Sequence, residues 1–238
     1  MNILLLGYGK MGQMIDKLAT AKGHHIAAKI NVDNQEALKE LDTTQIDVAI
    51  DFSQPSAAVN NIKWCIDQQI PVAVGTTGWL DQKAEVDAYC LAKNGTYLYA
   101  SNFSIGVNIF FKVNAFLARL MNSQSSYAVS MAEIHHTQKL DAPSGTAITL
   151  AEGVIEQVDR LSGWTEASEP QPGELPIRSE RVDPTPGTHH INYDSAIDSI
   201  EIRHTAHGRE GFATGAILVA EWITSQKGVV TMDDFLSL

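Results

Sequence analysis

The sequence contains little of what marks a disulfide-stabilised, nucleic-acid-binding or membrane-spanning protein. Among 238 residues there are 2 cysteines, Cys65 and Cys90, in no metal-binding spacing, so we expect reduced structural thiols. Lys and Arg number 17 against 28 Asp and Glu, a net charge of -11, which disfavours a basic face for nucleic acid. The opening apolar run ends at Gly7, too short for a signal peptide or a bilayer span. We therefore expect a cytoplasmic protein without nucleic-acid or membrane partners.

The first hundred residues alternate between short apolar runs and segments of helical period. A hydrophobic content of 44% is that of an ordinary folded protein with a sizeable core. The pattern predicts strands over residues 2–6, 25–30, 46–52, 71–74 and 96–100, with helices over 11–23, 56–68 and 80–93. Strands that alternate with helices across short turns predict a doubly wound parallel sheet.

The pattern changes near Asn102. Helices are predicted over residues 106–120, from 146 onward and over 211–225, and strands over 127–135, 189–193 and 199–207. The last two strands should form an antiparallel pair that joins 127–135 in one sheet. Residues 161–186, rich in Pro, Gly and Ser, are expected to form a long irregular loop.

A glycine-rich turn lies between the first predicted strand and helix. Residues 7–12 have the GxGxxG spacing, in which the glycines allow a tight turn, close approach to a pyrophosphate and helix-strand packing. The motif in this position favours a dinucleotide, although a ligand-free glycine turn is the alternative. The candidate cofactor residues here are Gly7, Tyr8, Gly9, Lys10, Met11 and Gly12.

The end of the second strand bears on which nicotinamide cofactor is accepted. A ribose-binding acid is expected about twenty residues after the glycine motif, but Asn31 occupies that place and Asp33 is displaced by two positions. A 2'-phosphate would meet less repulsion here, and Lys10 or Lys29 could attract it. We predict that NADPH is accepted as well as NADH.

Two further turns should line the same crevice, because ligands bind beyond the carboxyl ends of parallel strands. One is the GTTG turn at residues 75–78, although a plain turn is the alternative for such a cluster. The other closes the fifth strand. The candidate cofactor residues in these turns are Gly75, Thr76, Thr77, Ala100, Ser101, Asn102 and Phe103.

A second cluster of polar residues spans residues 133–147, with sequence EIHHTQKLDAPSGTA. Strand alternation followed by a turn can bring His135 and Lys139 to one pocket, with His136 beside them. The hydroxyls and amides of Ser144, Gly145 and Thr146 open a helix and offer a site for a carboxylate. Zinc ligation and plain surface histidines are the alternatives; HExxH is absent and neither Cys is near, so we expect no metal.

These motifs together resemble the 4-hydroxy-tetrahydrodipicolinate reductase (dihydrodipicolinate reductase) family. The resemblance rests on GxGxxG, DFS at residues 51–53, GTTG, SNFSIGVN at 101–108, ExHHxxKxDAPSGTA and GFATGAI at 211–217. It implies a Rossmann-like doubly wound α/β domain, residues 1–103 and 211–238, that binds the dinucleotide. An inserted α+β domain with a mixed sheet, residues 104–210, would bind substrate and form a homotetramer.

The resemblance also implies a reaction and residue roles. A cyclic dicarboxylate imine would be reduced with NADH or NADPH to tetrahydrodipicolinate in diaminopimelate and lysine biosynthesis. His135 matches the proton donor and Lys139 the second catalytic position, while His136, Gly145 and Thr146 match contacts to the substrate carboxylates. Independently, an enamine left by hydride addition needs a proton donor with a pKa near the working pH, which histidine meets.

The sequence departs from the family in two places, one of which is Asn31. The segment usually written RxGxxxGxH occurs as RVDPTPGTH at residues 181–189, with Asp183 and Pro184 at positions that are usually flexible. Another oxidoreductase of the same plan is one alternative. A nicotinamide-binding sensor without turnover is a second, which Asp183 and Pro184 could support and the intact His135 and Lys139 oppose.

Overall fold

The computed structural model describes residues 1–237 and contains two sheets. The strands are β1 (Asn2–Leu6), β2 (His25–Ile30), β3 (Val48–Asp51), β4 (Val72–Val74), β5 (Thr96–Tyr99), β6 (Ala128–His135), β7 (Gly163–Thr165), β8 (Glu174–Arg181), β9 (Gly187–Asp194), β10 (Ser199–Ala206) and β11 (Gly228–Val230). The helices are α1 (Lys10–Ala21), α2 (Pro55–Asp67), α3 (Lys83–Ala92), α4 (Ile105–Met121), α5 (Gly145–Ile155), α6 (Glu210–Ile223) and α7 (Met232–Leu236). Short 3₁₀ turns cover Val32–Lys39, Thr43–Gln45 and Leu80–Gln82.

The chain divides into two compact units, one of Met1–Ile105 with Glu210–Leu238 and one of Gly106–Arg209. The first unit holds a six-stranded sheet in the order β11-β5-β4-β3-β1-β2, and every pairing in it is parallel. The second unit holds a five-stranded mixed sheet in the order β10-β9-β6-β8-β7. The predicted fold class, a Rossmann-like parallel sheet with a second mixed-sheet unit, is confirmed.

Helices cover both faces of the parallel sheet because its strands are apolar on both sides. In β1, Leu4 and Leu6 pack with α2 and α3, whereas Ile3 and Leu5 pack with α1 and α6. Cys65 and Cys90 are free and buried among these helices, as expected. None of the helices among residues 1–237 is long and apolar enough to cross a membrane.

In the mixed sheet, α4 and α5 cover one face. Alternate residues of β6 are buried, from Val129 and Met131 to Glu133 and His135. Val129 and Met131 pack with α5. Glu133 and His135 therefore lie on the same, helix-covered face of the sheet, nearer the end of β6. The predicted pairing of β9 with β10 and β6 is confirmed as antiparallel.

The long irregular loop predicted over residues 161–186 is wrong for much of its length. Both β7 and β8 lie inside it, and β8 pairs in parallel with β6. Leu175 and Ile177 alternate into the core around Pro176, so apolar burial outweighs the local proline content there. Strand β11 and helix α7, at the carboxyl end, were not predicted.

Candidate active site

The glycine-rich turn has the backbone geometry that its motif requires. Gly7 has φ +91°, and a Cβ atom there would lie 2.2 Å from Phe52 O. A Cβ at Gly12 would lie 2.2 Å from Gly7 O, so the first turn of α1 packs directly on the strand end. Gly9 faces open space, which leaves the amino end of α1 approachable. The turn thus fits a pyrophosphate at the helix amino terminus.

A cavity of about 210 Å³ adjoins this turn, and Asn31 lines it whereas Asp33 does not. The described lining residues are all uncharged: Gly7, Tyr8, Gly9, Ile30, Asn31, Val32, Gln35, Phe52, Ser53, Gln54, Ala57 and Asn61. A carboxylate that would take the ribose hydroxyls is therefore missing from the described wall of this cavity.

The two lysines considered for phosphate attraction differ in their surroundings. Lys29 Nζ lies 2.6 Å from Asp16 Oδ2 and 4.9 Å from the centre of the Tyr8 ring. Its charge is therefore balanced within the protein. Lys10 instead lines a groove of about 400 Å³.

That groove brings together two of the predicted cofactor segments. Gly9, Lys10 and Met11 line one part, and Gly75, Thr76 and Thr77 line another. Phe52 lies between them: a Cβ at Gly75 would lie 2.3 Å from its ring. The ring of Phe103 lies 5.7 Å from that of Phe52.

The third predicted cofactor segment follows β5 in the same unit. Ala100 and Phe103 are buried in the core, whereas Ser101 is exposed. Asn102 Oδ1 accepts a hydrogen bond from Ser104 N at 2.8 Å. Within this segment, Ser101 is thus the side chain open to solvent.

Asp51, the last residue of β3, connects the turns that follow β3 and β4 through hydrogen bonds. It is fully buried, which raises the pKa of its carboxyl, and its oxygens accept hydrogen bonds from three surrounding side chains. The donors are Thr76 Oγ1 at 2.5 Å, Ser53 Oγ at 2.7 Å and Asn61 Nδ2 at 2.8 Å. The hydroxyl of Thr76 is thus committed to this network, and its carbonyl oxygen accepts from Trp79 Nε1 at 2.7 Å, which leaves its backbone N–H for a cofactor.

In the second unit, Glu133 lies at the centre of a buried polar cluster. Its register partner on the neighbouring strand β9 is His189. His135 lies two positions further along β6 on the same face, and its register partner on β8 is Arg181. Glu133 is fully buried, and Oε2 lies 3.3 Å from His135 Nδ1 and 3.7 Å from His189 Nε2. Oε1 accepts from Arg181 at 3.1 Å. Three strands thus bring four ionisable groups together.

The surroundings keep Glu133 ionised. Burial alone would raise the pKa of this carboxyl, but the contacts with His135, His189 and Ser144 outweigh burial and hold it well below the ordinary value. His189 has the opposite balance: its burial lowers its pKa although Glu133 opposes that change. Glu133 is therefore an ionised carboxylate that lies beside a neutral His189.

Ser144 joins this cluster to the start of α5. Its backbone N–H donates to Glu133 Oε1 at 3.1 Å, and its Oγ lies 3.2 Å from His189 Nε2 and accepts from Ala147 N. Both groups of Ser144 are therefore used inside the protein. A Cβ at Gly145 would meet no atom within 4 Å, so the open part of this helix start lies at Gly145 and Thr146.

Lys139 and His136 lie in the turn after β6. Lys139 Nζ lies 3.0 Å from both carboxylate oxygens of Asp141, and the backbone oxygen of Asp141 accepts from Arg181 at 2.6 Å. His136 is half-buried and lies near Asp183, whose pKa is lowered by Thr137 and by His136. The turn therefore places the Lys139 ammonium next to the Glu133 cluster.

The divergent segment 181–189 is attached to this turn. Asp183 accepts from Thr137 N at 3.0 Å and from Thr137 Oγ1 at 2.6 Å. The residues retained from the family pattern, Arg181, Gly187 and His189, all lie against the cluster. A Cβ at Gly187 would lie 3.1 Å from His135 Nε2.

Sequence reasoning missed the grouping of Glu133, Arg181 and His189 around His135. Three of these residues could in principle bind a divalent metal ion, since potential ligand atoms of Glu133, His135 and His189 lie within 4.8 Å of one another. The Arg181 guanidinium already balances the carboxylate charge, which favours an internal ion-pair network over a metal centre.

Comparisons with known proteins identify the family of this chain. The dihydrodipicolinate reductase N-terminal family model matches residues 1–103, and the C-terminal model matches residues 106–236. A 4-hydroxy-tetrahydrodipicolinate reductase of Christiangramia forsetii is 48% identical over 237 residues, covering 100% of this chain and 98% of the relative. One from Methanosarcina acetivorans is 36% identical, covering 84% of this chain and 78% of the relative.

Solved structures agree in fold. The dipicolinate-bound dihydrodipicolinate reductase of Paenisporosarcina sp. TG-14 aligns with a TM-score of 0.80 at 22% identity, covering 97% of each chain. An amine dehydrogenase of Mycobacterium smegmatis aligns with a TM-score of 0.61 at 11% identity, covering 98% of this chain and 95% of that one. The resemblance inferred from the motifs is confirmed, and the chain belongs to the dihydrodipicolinate reductase family.

Proposed function

We propose that this chain reduces 4-hydroxy-tetrahydrodipicolinate (dihydrodipicolinate) to tetrahydrodipicolinate with NADH or NADPH, in diaminopimelate and lysine biosynthesis. The observation that carries the proposal is the buried Glu133 carboxylate beside His135, with Arg181 against it and Lys139 in the next turn. An imidazole that can donate a proton, together with two cations, suits a dianionic substrate in a protein whose net charge is -11.

The cofactor is proposed to bind to the first unit. Gly7, Gly9 and Gly12 leave room for its pyrophosphate, and Asn31 faces its adenosine ribose. The groove between residues 9–11 and 75–77 takes the nicotinamide half, with residues 100–103 beyond it. A bound NADH or NADPH supplies the hydride. The first unit then acts as the dinucleotide-binding domain, 1–103 and 211–238, and residues 104–210 form the substrate-binding domain.

His135 is the proposed proton donor. Hydride addition to a conjugated cyclic imine places an electron pair on the ring, and a ring carbon then takes up a proton to complete the reduction. His135 gives up its Nε2 proton to that carbon and afterwards regains one from solvent. Over the cycle one hydride and one proton are added to the substrate.

The remaining polar groups are proposed to hold the substrate carboxylates. Lys139 places a cation beside one carboxylate and stabilises the negative charge that develops on the substrate during reduction. His136 flanks it. At the start of α5, the amides of Gly145 and Thr146 donate to the second carboxylate, since Ser144 is occupied by Glu133 and His189.

The assembly is proposed to be a cytoplasmic homotetramer formed through the open face of the mixed sheet. On that face of β6 lie Ser130, Ala132 and Ile134, which are half-buried and line a depression of about 750 Å³. Ala132→Arg should shift the mass measured by light scattering from that of four chains to a smaller species. A wild-type mass of one chain would contradict the tetramer.

The reaction is tested with substrate made fresh from pyruvate and aspartate semialdehyde by a dihydrodipicolinate synthase. Loss of nicotinamide absorbance is followed with NADH and NADPH in parallel. The proposal predicts oxidation that requires both the synthase product and this protein. Cofactor binding without any oxidation would contradict it and would favour a nicotinamide-binding sensor.

A further inference from the structure

The Glu133 carboxylate has two sides with different partners. Oε1 accepts two donors, the backbone N–H of Ser144 and the Arg181 guanidinium, each at 3.1 Å. Oε2 faces the two imidazoles and lies nearer to His135 Nδ1, at 3.3 Å, than to His189 Nε2, at 3.7 Å. Among the described residues, Glu133 Oε2 and His135 Nδ1 are both buried without a hydrogen bond, so a slight shortening of the 3.3 Å contact between them would satisfy both atoms.

His189 Nε2 has a second polar neighbour besides Glu133. Its Nε2 lies 3.2 Å from Ser144 Oγ, and that oxygen accepts the N–H of Ala147. The hydroxyl proton of Ser144 can then point at Nε2 of a neutral His189, an arrangement that gives this nitrogen a partner other than Glu133. This leaves His135 Nδ1, which has no hydrogen bond among the described residues, as the imidazole nitrogen nearest to Glu133 Oε2.

The other nitrogen of His135 has a different environment. Nε2 lies against Gly187, where a Cβ atom would come within 3.1 Å, so the glycine keeps that edge of the ring uncovered. Nδ1 of this buried ring thus faces the Glu133 carboxylate, and Nε2 faces a residue that has no side chain. A carboxylate that orients an imidazole in this way selects which nitrogen exchanges protons.

We propose that Glu133 is a positioning residue for the reduction: it accepts the Nδ1–H of His135 and so reserves the Nε2 proton for the substrate. The inference rests on the proposed role of His135 as proton donor. When His135 releases its Nε2 proton to the ring carbon, the Nδ1–H bond to Glu133 remains, and the neutral Nδ1–H form is left. Uptake of one proton at Nε2 from solvent restores the donor.

Other charged groups face the same ring and act together with Glu133. His189 approaches from β9 with its ring centre 5.2 Å from that of His135, and its own neighbour on β10 is His204. Arg181 reaches in from β8, and Lys139 with Asp141 stands in the following turn. Of these groups, Glu133 alone places an acceptor next to Nδ1.

The substitution Glu133→Gln tests the inference, because the glutamine amide fits this site in one orientation and then presents a donor to His135. Two donors occupy the Oε1 side, so the amide oxygen must take that side and the amide N–H₂ must face His135 Nδ1. The nitrogen would then accept from the amide, which favours the Nε2–H neutral form and opposes the imidazolium. We expect kcat to fall roughly 10²- to 10⁴-fold, with activity recovering toward lower pH.

The matched control is Glu221→Gln, which makes the same change beside His24, 2.8 Å away, in the other unit. It should leave kcat and its pH profile unchanged. Both variants are compared with the wild type from pH 5 to 9, together with NADPH affinity and thermal unfolding. A loss in Glu133→Gln that is equal at every pH would mark a merely structural role and would overturn the inference.

A second measurement is made on the wild-type protein and does not depend on the folding of Glu133→Gln. In histidine-labelled wild-type protein, ¹⁵N correlation spectra at high pH report which ring nitrogen carries the proton, with the His135 signal assigned by its loss in His135→Gln. The inference predicts the Nδ1–H form, and an Nε2–H form would overturn it. Failure of the proposed function would instead appear as absence of cofactor oxidation in the wild type.

Discussion

A Cβ atom at position 187 would lie 3.1 Å from His135 Nε2, so Gly187 keeps a side chain away from that edge of the buried ring. The glycine belongs to the segment 181–189, whose sequence departs from the family pattern at Asp183 and Pro184. The three residues that keep the pattern, Arg181, Gly187 and His189, contact the His135 and Glu133 cluster. The altered residue Asp183 instead bonds to Thr137. The divergence therefore changes how the segment is attached and leaves the surroundings of His135 intact.

Lys139→Ala should lower turnover by roughly 10²- to 10⁴-fold and leave cofactor affinity unchanged. The ammonium group is the cation in the turn after β6, and the variant leaves Asp141 there without its partner. Steady-state rates and NADPH titration check this. The control Lys93→Ala removes a lysine paired with Asp67 in the other unit and should be silent. A near-normal rate in Lys139→Ala would remove Lys139 from the mechanism.

The protein should oxidise NADPH as well as NADH, because the cavity at Asn31 has an uncharged described lining. Asn31→Asp should weaken NADPH binding by roughly tenfold or more while NADH binding holds, since a carboxylate there would repel a 2'-phosphate. Fluorescence titration with both cofactors measures the ratio. Asp33→Asn is the control, because Asp33 lies outside that lining. Binding of NADH without measurable NADPH binding in the wild type would contradict the account.

Gly215→Ala should destabilise the protein by about 1–3 kcal/mol, because a Cβ there would lie 1.8 Å from Phe103 O in the core of the first unit. Denaturant unfolding measures the change. Gly211→Ala, on the same helix, would place its Cβ 3.6 Å from Ser104 Oγ, an ordinary contact, and should cost little. Equal stability of the two variants would show that α6 can move away from Phe103.

Stability should fall as the pH is lowered from 7 to about 4. The pKa of His189 is below its ordinary value of 6.5 in the folded state, so the unfolded chain binds the proton first and acid favours unfolding. The pKa of Glu133, also lowered, adds a loss below its ordinary value of 4.5. His189→Gln should flatten the part of the curve just below pH 6.5. Thermal unfolding across this range measures both slopes, and identical slopes would refute the assignment.

The sequence was sufficient for the parallel sheet because apolar runs and short turns alternate there with a clear period. It was insufficient for β8, where prolines in residues 161–186 masked the alternation of Leu175 and Ile177. A strand whose partner residues lie 46 positions away is fixed by burial, and local residue preferences do not report that burial.

In the candidate site, too, local sequence predicted some residues, whereas others depend on contacts between distant parts of the chain. His135 and Lys139 were found because both lie in one continuous motif. The part played by Glu133 depends on the register of three strands, which places His189 opposite Glu133 and Arg181 opposite His135. One local signal was present, since residues two apart on a strand share a face and Glu133 precedes His135 by two.

The central claim is that His135 supplies the proton in the reduction of the cyclic imine. The most direct test compares wild type with His135→Gln in a single turnover, with enzyme and bound NADPH in excess over freshly made substrate. The account predicts substrate-dependent loss of nicotinamide absorbance that is roughly 10²- to 10⁴-fold slower in the variant, with NADPH affinity unchanged. Equal rates in the two proteins would contradict it.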